Sequence, residues 1–305
     1  MRLVFAGTPS VAVSSLLALL DTEHEVVAVI SREDAPLGRK RVLTPSPVAE
    51  AAVARGIPVL KANRLTESMA DTVRSLDADL GVIVAYGGLV REPLLSTPRH
   101  GWINLHFSLL PAWRGAAPVQ RSLIAGDTVT GASVFQLVPE LDAGDLYGTV
   151  EHPVGPDITA GELLDELADV GSSLLVSVVN DIARGNATAV PQSGEPTLAP
   201  KLTLDDGRLA WTEPADVLYN RFRGVTPEPG AHTTIGSARF KILDARARTD
   251  VTLPPGTITM RDKIVLIGTG STALELVTVQ PAGKAAMRAA DWWRGLGHDP
   301  QIVAE

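Results

Sequence analysis

The chain of 305 residues contains no cysteine. This absence excludes disulfides, thiolate zinc sites, iron–sulfur clusters and a cysteine nucleophile. Long apolar runs are also missing, since the longest near-continuous one, residues 80–90, contains three glycines and is too short to cross a bilayer. The apolar start Leu3-Val4-Phe5 ends at Gly7 before the core of a signal peptide could form. We therefore expect a cytoplasmic protein without a membrane segment.

Several motifs of common enzyme classes are absent as well. No GxGxxG follows the first apolar strand, and GxxxxGK[ST] does not occur. HExxH is missing, and Ser108 does not stand in a GxSxG context. The sequence thus gives poor support to a dinucleotide or nucleoside triphosphate cofactor, to a serine nucleophile and to a catalytic metal, and we expect no metal.

Charge is distributed unevenly along the chain. The net charge is -8, yet residues 207–305 contain 12 Lys or Arg and 10 Asp or Glu, which is +2 and leaves -10 for residues 1–206. An acidic protein is a poor candidate for coating nucleic acid. The difference between the two parts nevertheless indicates that they have different electrostatic tasks.

The hydrophobic pattern predicts an α/β protein with two domains. Short apolar strands alternate with helical patterns in the first half, which is typical of a doubly wound, Rossmann-like parallel sheet. The strands are expected at residues 3–5, 25–30, 57–60 and 80–85 and the helices at 11–20 and 47–55. Closely spaced short strands from residue 238 onward predict a smaller OB-like β-barrel. We expect a catalytic domain over residues 1–184, a linker rich in Pro, Gly, Ser and Thr over 185–206, and the barrel domain over 207–305.

Two polar residues at a strand end are the first candidates for chemistry. Asn104 and His106 are two positions apart, so on a strand both side chains project from the same face. They should lie at the carboxyl edge of the sheet, where open α/β sheets bind ligands. An amide can donate a hydrogen bond to a developing oxyanion, and an imidazole titrates near neutral pH. The pair therefore predicts acyl chemistry.

Asp142 is the expected third member, because it follows the apolar run 133–138. A carboxylate there could hold the imidazole in its charged form or relay a proton through water. An Asx turn before Gly144 is the structural alternative, and Asp145 is a competitor for the catalytic role. With no covalent nucleophile or metal in view, we expect direct transfer to a substrate nucleophile, an amine.

Four segments of this region resemble the 10-formyltetrahydrofolate-dependent formyltransferases. They are Asn104-Leu-His106, Ser108-Leu-Leu-Pro111, Trp113-Arg-Gly-Ala-Ala-Pro118 and Leu141-Asp-Ala-Gly144. The resemblance implies that Asn104, His106 and Asp142 form a catalytic triad. It also implies that the folate co-substrate is bound by Tyr86, Ser108, Leu109, Leu110, Pro111 and Val138.

Further matches extend over the whole chain and include the second domain, as in the members that formylate methionyl-initiator tRNA. They include Phe5-Ala-Gly-Thr-Pro9, Val84-Ala-Tyr-Gly87 and Gln280-Pro-Ala-Gly-Lys284. The resemblance implies attack of the methionyl α-amine on the formyl carbon, with Asn104 binding the oxyanion and Asp142 keeping His106 cationic. It also implies a monomer whose basic loop, with Arg39, Lys40 and Arg41, contacts the acceptor stem of the tRNA.

Other functions remain open from the sequence. A folate-dependent formyltransferase that acts on an amino sugar or another small amine would need neither the basic loop nor the barrel. A catalytically inactive nucleic-acid-binding protein is a third hypothesis, and a nicotinamide oxidoreductase is disfavoured by the missing GxGxxG. The sequence departs from the family pattern in residues 31–41, which are less basic than expected, and at Gly88, where an apolar residue is common.

Overall fold

The structure is a computed structural model that describes residues 1–38, 40–297 and 302–305. Its contacts divide the chain into two compact units. The first unit comprises Met1–Pro118, Val129–Pro153 and Leu164–Ala199, and the second comprises Val119–Thr128, Val154–Leu163 and Pro200–Glu305. Residues 185–199, which form much of the segment that we expected to be a linker, thus lie within the first unit.

The first 199 residues contain eleven strands and five helices within the described ranges. The strands are β1 (Arg2–Gly7), β2 (Glu25–Ser31), β3 (Ala35–Leu37), β4 (Val42–Thr44), β5 (Val59–Lys61), β6 (Leu80–Val84), β7 (Trp102–His106), β8 (Arg114–Gly115), β9 (Val129–Gln136), β10 (Leu146–Pro153) and β11 (Leu198–Ala199). The helices are α1 (Val13–Leu20), α2 (Pro47–Ala54), α3 (Glu67–Ser75), α4 (Pro118–Ala125) and α5 (Ala160–Arg184). Short 3₁₀ helices cover Ser10–Ala12 and Leu94–Ser96.

The main sheet of the first unit has seven strands in the order β10-β9-β7-β6-β1-β2-β5. Strands β7, β6, β1, β2 and β5 are mutually parallel, which confirms the predicted Rossmann-like fold. The difference from the prediction is at one edge, where β9 and β10 are antiparallel. Only a short loop, residues 137–145, joins them, and a parallel pair would need a crossover of about a dozen residues. That loop contains Asp142.

The centre of this sheet is buried on both faces. In β1 the residues Leu3, Val4, Phe5 and Ala6 are completely buried, as expected for a central parallel strand. Gly81 in β6 lies against the indole of Trp102 in β7, and a Cβ at this glycine would be 2.1 Å from the ring. This close approach fixes β7, and with it the candidate residues, against the sheet centre.

The second unit contains a nearly closed antiparallel barrel, as predicted. Its strands are β12 (His232–Ile235), β13 (Ala238–Ala247), β14 (Thr257–Arg261), β15 (Ile264–Gly268), β16 (Ala273–Pro281), β17 (Met287–Arg288) and β18 (Ile302–Val303), in the order β12-β13-β16-β15-β14-β18 with β17 beside β16. Helices α6 (Ala215–Gly224) and α7 (Ala289–Arg294) and a 3₁₀ helix, Asp205–Gly207, accompany them. Thr234 and Glu305 exchange backbone hydrogen bonds, which brings the last residues back to β12. Trp292 packs on Phe240, with ring centroids 4.6 Å apart.

No helix in the described part of the chain combines the length and the apolar character that crossing a bilayer requires.

Candidate active site

Strand β7 carries Asn104 and His106 to the carboxyl edge of the parallel strands, as the spacing predicted. In the sheet register Asn104 lies between Ile83 of β6 and Phe135 of β9. Asn104 is half-buried, and its side-chain amide makes no hydrogen bond to any residue that the structure describes. Its donors are therefore free to bind the oxygen of a ligand.

His106 is buried, with 6% of its surface exposed, and its two ring nitrogens have different surroundings. Nε2 donates to the carbonyl of Trp113 at 2.9 Å. Because a carbonyl only accepts, Nε2 carries the proton and Nδ1 of the neutral ring has the lone pair. Nδ1 faces the Asp142 carboxylate, with 3.9 Å between Nδ1 and Oδ2. The ring can therefore accept a proton at Nδ1 beside a negative charge.

The pKa of His106 is lowered from its ordinary value, because burial disfavours the imidazolium. The Asp142 carboxylate and the hydrogen bond to Trp113 act in the opposite direction, but they do not outweigh burial. This direction is opposite to the expectation that Asp142 keeps His106 cationic. A lowered pKa favours the neutral imidazole, and the nearby carboxylate would stabilise a cation formed by protonation at Nδ1.

Asp142 lies in the loop between β9 and β10 with a φ of 46°, a left-handed conformation that is uncommon for residues other than glycine. Its Oδ2 accepts from the backbone N–H of Gly115 at 2.8 Å, so the carboxylate bonds to a different segment instead of closing an Asx turn on its own loop. Asp145 lies near Tyr147 and raises the pKa of that phenol together with burial, which acts more strongly. Between the two aspartates, Asp142 is the one that faces the imidazole.

The residues predicted to bind folate have varied surroundings. The Tyr86 side chain is buried, its hydroxyl donates to the carbonyl of Ala62, and its own carbonyl accepts from Thr8. The hydroxyl and the carbonyl of Tyr86 therefore both take part in hydrogen bonds within the protein. A Cβ at Gly88 would lie 2.5 Å from the Tyr86 ring, which explains the glycine at this position.

The segment after β7 turns sharply beside the site. Ser108 is fully buried, and its hydroxyl donates to the carbonyl of Ala112 at 2.6 Å, which shapes the turn. Leu109 and Pro111 are half-buried, while Leu110 is buried. The backbone N–H of Leu110 donates to the Ser133 hydroxyl of β9. This segment is thereby held against the neighbouring strand.

A cavity of about 600 Å³ opens beside the Asp142 loop. This volume is in the range of small-molecule sites. Val138, which was predicted to contact folate, is part of its wall. The lining residues are Gln136, Val138, Glu140, Ala143, Gly144, Asp145, Tyr147 and Ala189.

The basic loop forms a small hairpin of β3 and β4. Lys40 and Arg41 are exposed at its turn, and Arg39 lies outside the described residues. Leu37, Val42 and Leu43 of the hairpin are also exposed. The hairpin thus presents cations next to apolar side chains.

The sequence did not predict Gln192 and Arg114, whose side chains hydrogen-bond each other, nor the bonds from Gln192 to the carbonyls of Asp142 and Gly144. Gln192 stands in a Pro- and Ser-containing stretch without periodicity, so no local signal distinguishes it.

Among the described residues, no group of three or more His, Asp or Glu side chains could hold a metal ion.

Residues 1–179 match the family model described as formyl transferase, and residues 201–297 match the formyl transferase C-terminal domain. A methionyl-tRNA formyltransferase of Leifsonia xyli is 63% identical over 297 residues, which cover 97% of this chain and 98% of the relative.

Solved structures with low identity share the fold. An N-formyltransferase of Helicobacter canadensis, in complex with folinic acid and dTDP-3-aminofucose, has a TM-score of 0.69 at 16% identity and covers 92% of this chain and 99% of its own. A methionyl-tRNA formyltransferase of Clostridium thermocellum has a TM-score of 0.58 at 13% identity, over 82% of this chain and 95% of its own.

Proposed function

The chain belongs to the formyl transferase family, and from this membership we propose that it transfers the formyl group of 10-formyltetrahydrofolate to the α-amine of methionyl-initiator tRNA. The observation that carries the proposal is the 63% identity to a protein of that name over nearly the full length of both chains. The same identity supports a tRNA acceptor over a small amine, and residues 201–297 match the C-terminal domain of the family. The proposal includes a cytoplasmic, monomeric enzyme.

The site supports a transfer without a covalent enzyme intermediate. The amine nitrogen bonds to the formyl carbon, whose oxygen gains negative charge and accepts hydrogen bonds from the Asn104 amide. Nδ1 of His106 takes the proton of the amine, and Asp142 stabilises the imidazolium. When the bond between the formyl carbon and N10 breaks, the imidazolium returns that proton to N10.

The folate is proposed to bind in the cavity at the Asp142 loop, with Val138 in its wall. The segment Ser108, Leu109, Leu110 and Pro111 lies next to His106 in the chain and borders the same edge of the sheet. Tyr86 is proposed to contribute to folate binding only through the backbone around it, because its hydroxyl is bonded to the carbonyl of Ala62. Arg39, Lys40 and Arg41 are proposed to contact the acceptor stem.

The direct experiment measures formyl transfer from 10-formyltetrahydrofolate to methionyl-initiator tRNA, with methionyl-elongator tRNA and free amino sugars as competing acceptors. Formylation of the initiator tRNA in preference to the elongator tRNA is the expected result. Formylation of a small amine without any product on tRNA would move the assignment to the alternative substrate class.

The acid limb of the pH profile should depend on Asp142. The neutral imidazole is the active form, so kcat/KM falls as the pH drops through the pKa of His106, which lies below its ordinary value. Asp142→Asn removes a contribution that raises this pKa, and the acid limb should therefore move to lower pH. The substrate amine also titrates, but its ionisation is the same for both enzymes. An acid limb at the same pH in wild type and variant would contradict this role of Asp142.

Charge removal at the hairpin should weaken tRNA binding. Lys40→Ala and Arg41→Ala are expected to raise the KM for methionyl-initiator tRNA and to leave the KM for folate unchanged. Each lost phosphate contact should reduce the slope of log KM against log salt by about 1. The matched control is Arg74→Ala, because this exposed arginine pairs with Asp71 on the surface of α3. Equal salt slopes for the wild type and the hairpin variants would contradict the assignment.

A further inference from the structure

Residues 190–199 contact two parts of the candidate active site, the segment that binds His106 and the loop that contains Asp142. Val190 exchanges backbone hydrogen bonds with Leu146, directly after the Asp142 loop. The Thr197 hydroxyl accepts from the backbone N–H of Trp113, whose carbonyl binds His106. Strand β11 then pairs with β8. Residues 190–199, which include no catalytic candidate, therefore connect the segment that binds His106 with the loop that contains Asp142.

Gln192 makes the central contacts of this segment. Its Nε2 donates to the carbonyls of Asp142 at 2.8 Å and Gly144 at 2.9 Å. Its Oε1 accepts from the guanidinium of Arg114, at 3.2 Å from Nε and 2.6 Å from Nη2. The reverse orientation of the amide would set an oxygen against two carbonyls and an NH₂ against a cation. The surroundings thus determine a single orientation of the side chain.

Asp142 is consequently held at two points. Its backbone carbonyl is bound by Gln192, and its carboxylate is bound by the N–H of Gly115. Arg114, the neighbour of Gly115 in the chain, binds Gln192 and so joins the two attachments into a closed ring of contacts. A left-handed aspartate is maintained only where its surroundings enforce that conformation.

We propose that Gln192 is a positioning residue for formyl transfer, which holds the Asp142 loop so that the carboxylate faces Nδ1 of His106. The role in formyl transfer rests on the proposed function, whereas the role in placing the carboxylate rests on the contacts alone. Gln192 acts through Asp142, and no contact of its own with the substrate is required.

The test compares Gln192→Ala with Ser193→Ala in the full chain. Ser193 is the exposed next residue and serves as the matched control. A misplacement of about 1 Å can cost roughly 100-fold in rate, so kcat of Gln192→Ala should fall by roughly 10- to 100-fold. The KM for tRNA should stay within about twofold of wild type, because the hairpin with Lys40 and Arg41 does not contact Gln192.

The second readout is the titration of His106, followed by NMR and assigned with His106→Gln. In the described structure the Asp142 carboxylate is the charged group that raises the pKa of this imidazole, while Phe135 packs edge-on against the ring. When the loop is released, the carboxylate moves away and the pKa of His106 should fall further. A residue with a merely structural role would change the melting temperature and leave this titration unchanged.

A double-mutant comparison links the two residues. In the Asp142→Asn background, Gln192→Ala should cause little further loss of kcat, because the group that it positions is already gone. Gln192→Glu retains the acceptor for Arg114 but lacks the donors for the two carbonyls, and it serves as the second variant should Gln192→Ala fail to fold.

An unchanged His106 titration in a folded Gln192 variant, or full additivity with Asp142→Asn, would overturn the positioning role. The titration needs no turnover, so this result is independent of the proposed function. Absence of formyl transfer by the wild type, together with a shifted titration in Gln192→Ala, would refute the reaction and leave the placement of the carboxylate supported.

Discussion

His106→Ala should lower kcat for formyl transfer by about 1,000-fold, which is within the typical effect of a general base. The imidazole is expected to take the proton of the attacking amine at Nδ1 and to deliver it to the departing nitrogen. Alanine can neither accept nor deliver a proton. Because the position is buried next to Asp142, bulk solvent does not take over the role of the imidazole. The KM values should change much less, since the loss lies in the transition state.

Single-turnover formylation of methionyl-initiator tRNA measures this effect without interference from product release. His100→Ala is the matched control, because His100 is an exposed histidine outside the site. A His106→Ala enzyme that keeps more than about a tenth of the wild-type rate would show that the proton moves by another route, and general-base catalysis by this ring would be abandoned.

Asn104→Ala should lower kcat by about 100- to 1,000-fold, the usual cost of losing an oxyanion donor. The Asn104 amide has no hydrogen-bond partner among the described residues, so its donors are available for the formyl oxygen. The hydrogen bond strengthens as negative charge develops, which is why kcat should suffer more than substrate affinity.

Asn104→Asp provides a sharper version of this test. The isosteric carboxylate retains the shape but places a negative charge next to the developing oxyanion, so the rate should fall at least as far as with alanine. Asn63→Ala is the control, since that amide donates to Glu33 at the surface. Equal losses of kcat/KM in Asn104→Ala and in the control would remove Asn104 from the mechanism.

The lowered pKa of His106 bears on the role of Asp142 in the proposed reaction. A ring that is already cationic could not accept the amine proton, whereas a neutral ring beside a carboxylate can accept it and is stabilised once charged. Asp142 therefore acts mainly after proton transfer has begun. Its removal should shift the pH profile and lower the rate without changing which group is the base.

Several features of the site were predictable because they depend on neighbouring residues in the chain. The period of two along β7 places Asn104 and His106 on one face, and the apolar strands before it predict a parallel sheet with a ligand edge. The sequence predicted Asp142 as the third member, with Asp145 as a competitor. A difference of three positions in an irregular loop does not reveal which carboxylate faces the imidazole.

The sequence by itself determined the class of fold, the strand end that bears the candidate residues and the exclusion of thiol chemistry, because these follow from local periodicity and composition. Only the tertiary structure decided the direction in which the pKa of His106 shifts, which depends on how deeply neighbouring segments bury the ring. It also decided the attachment of Gln192 to Asp142, two residues 50 positions apart. Burial and long-range hydrogen bonds arise from chain segments that meet only in the folded protein, and no local pattern encodes them.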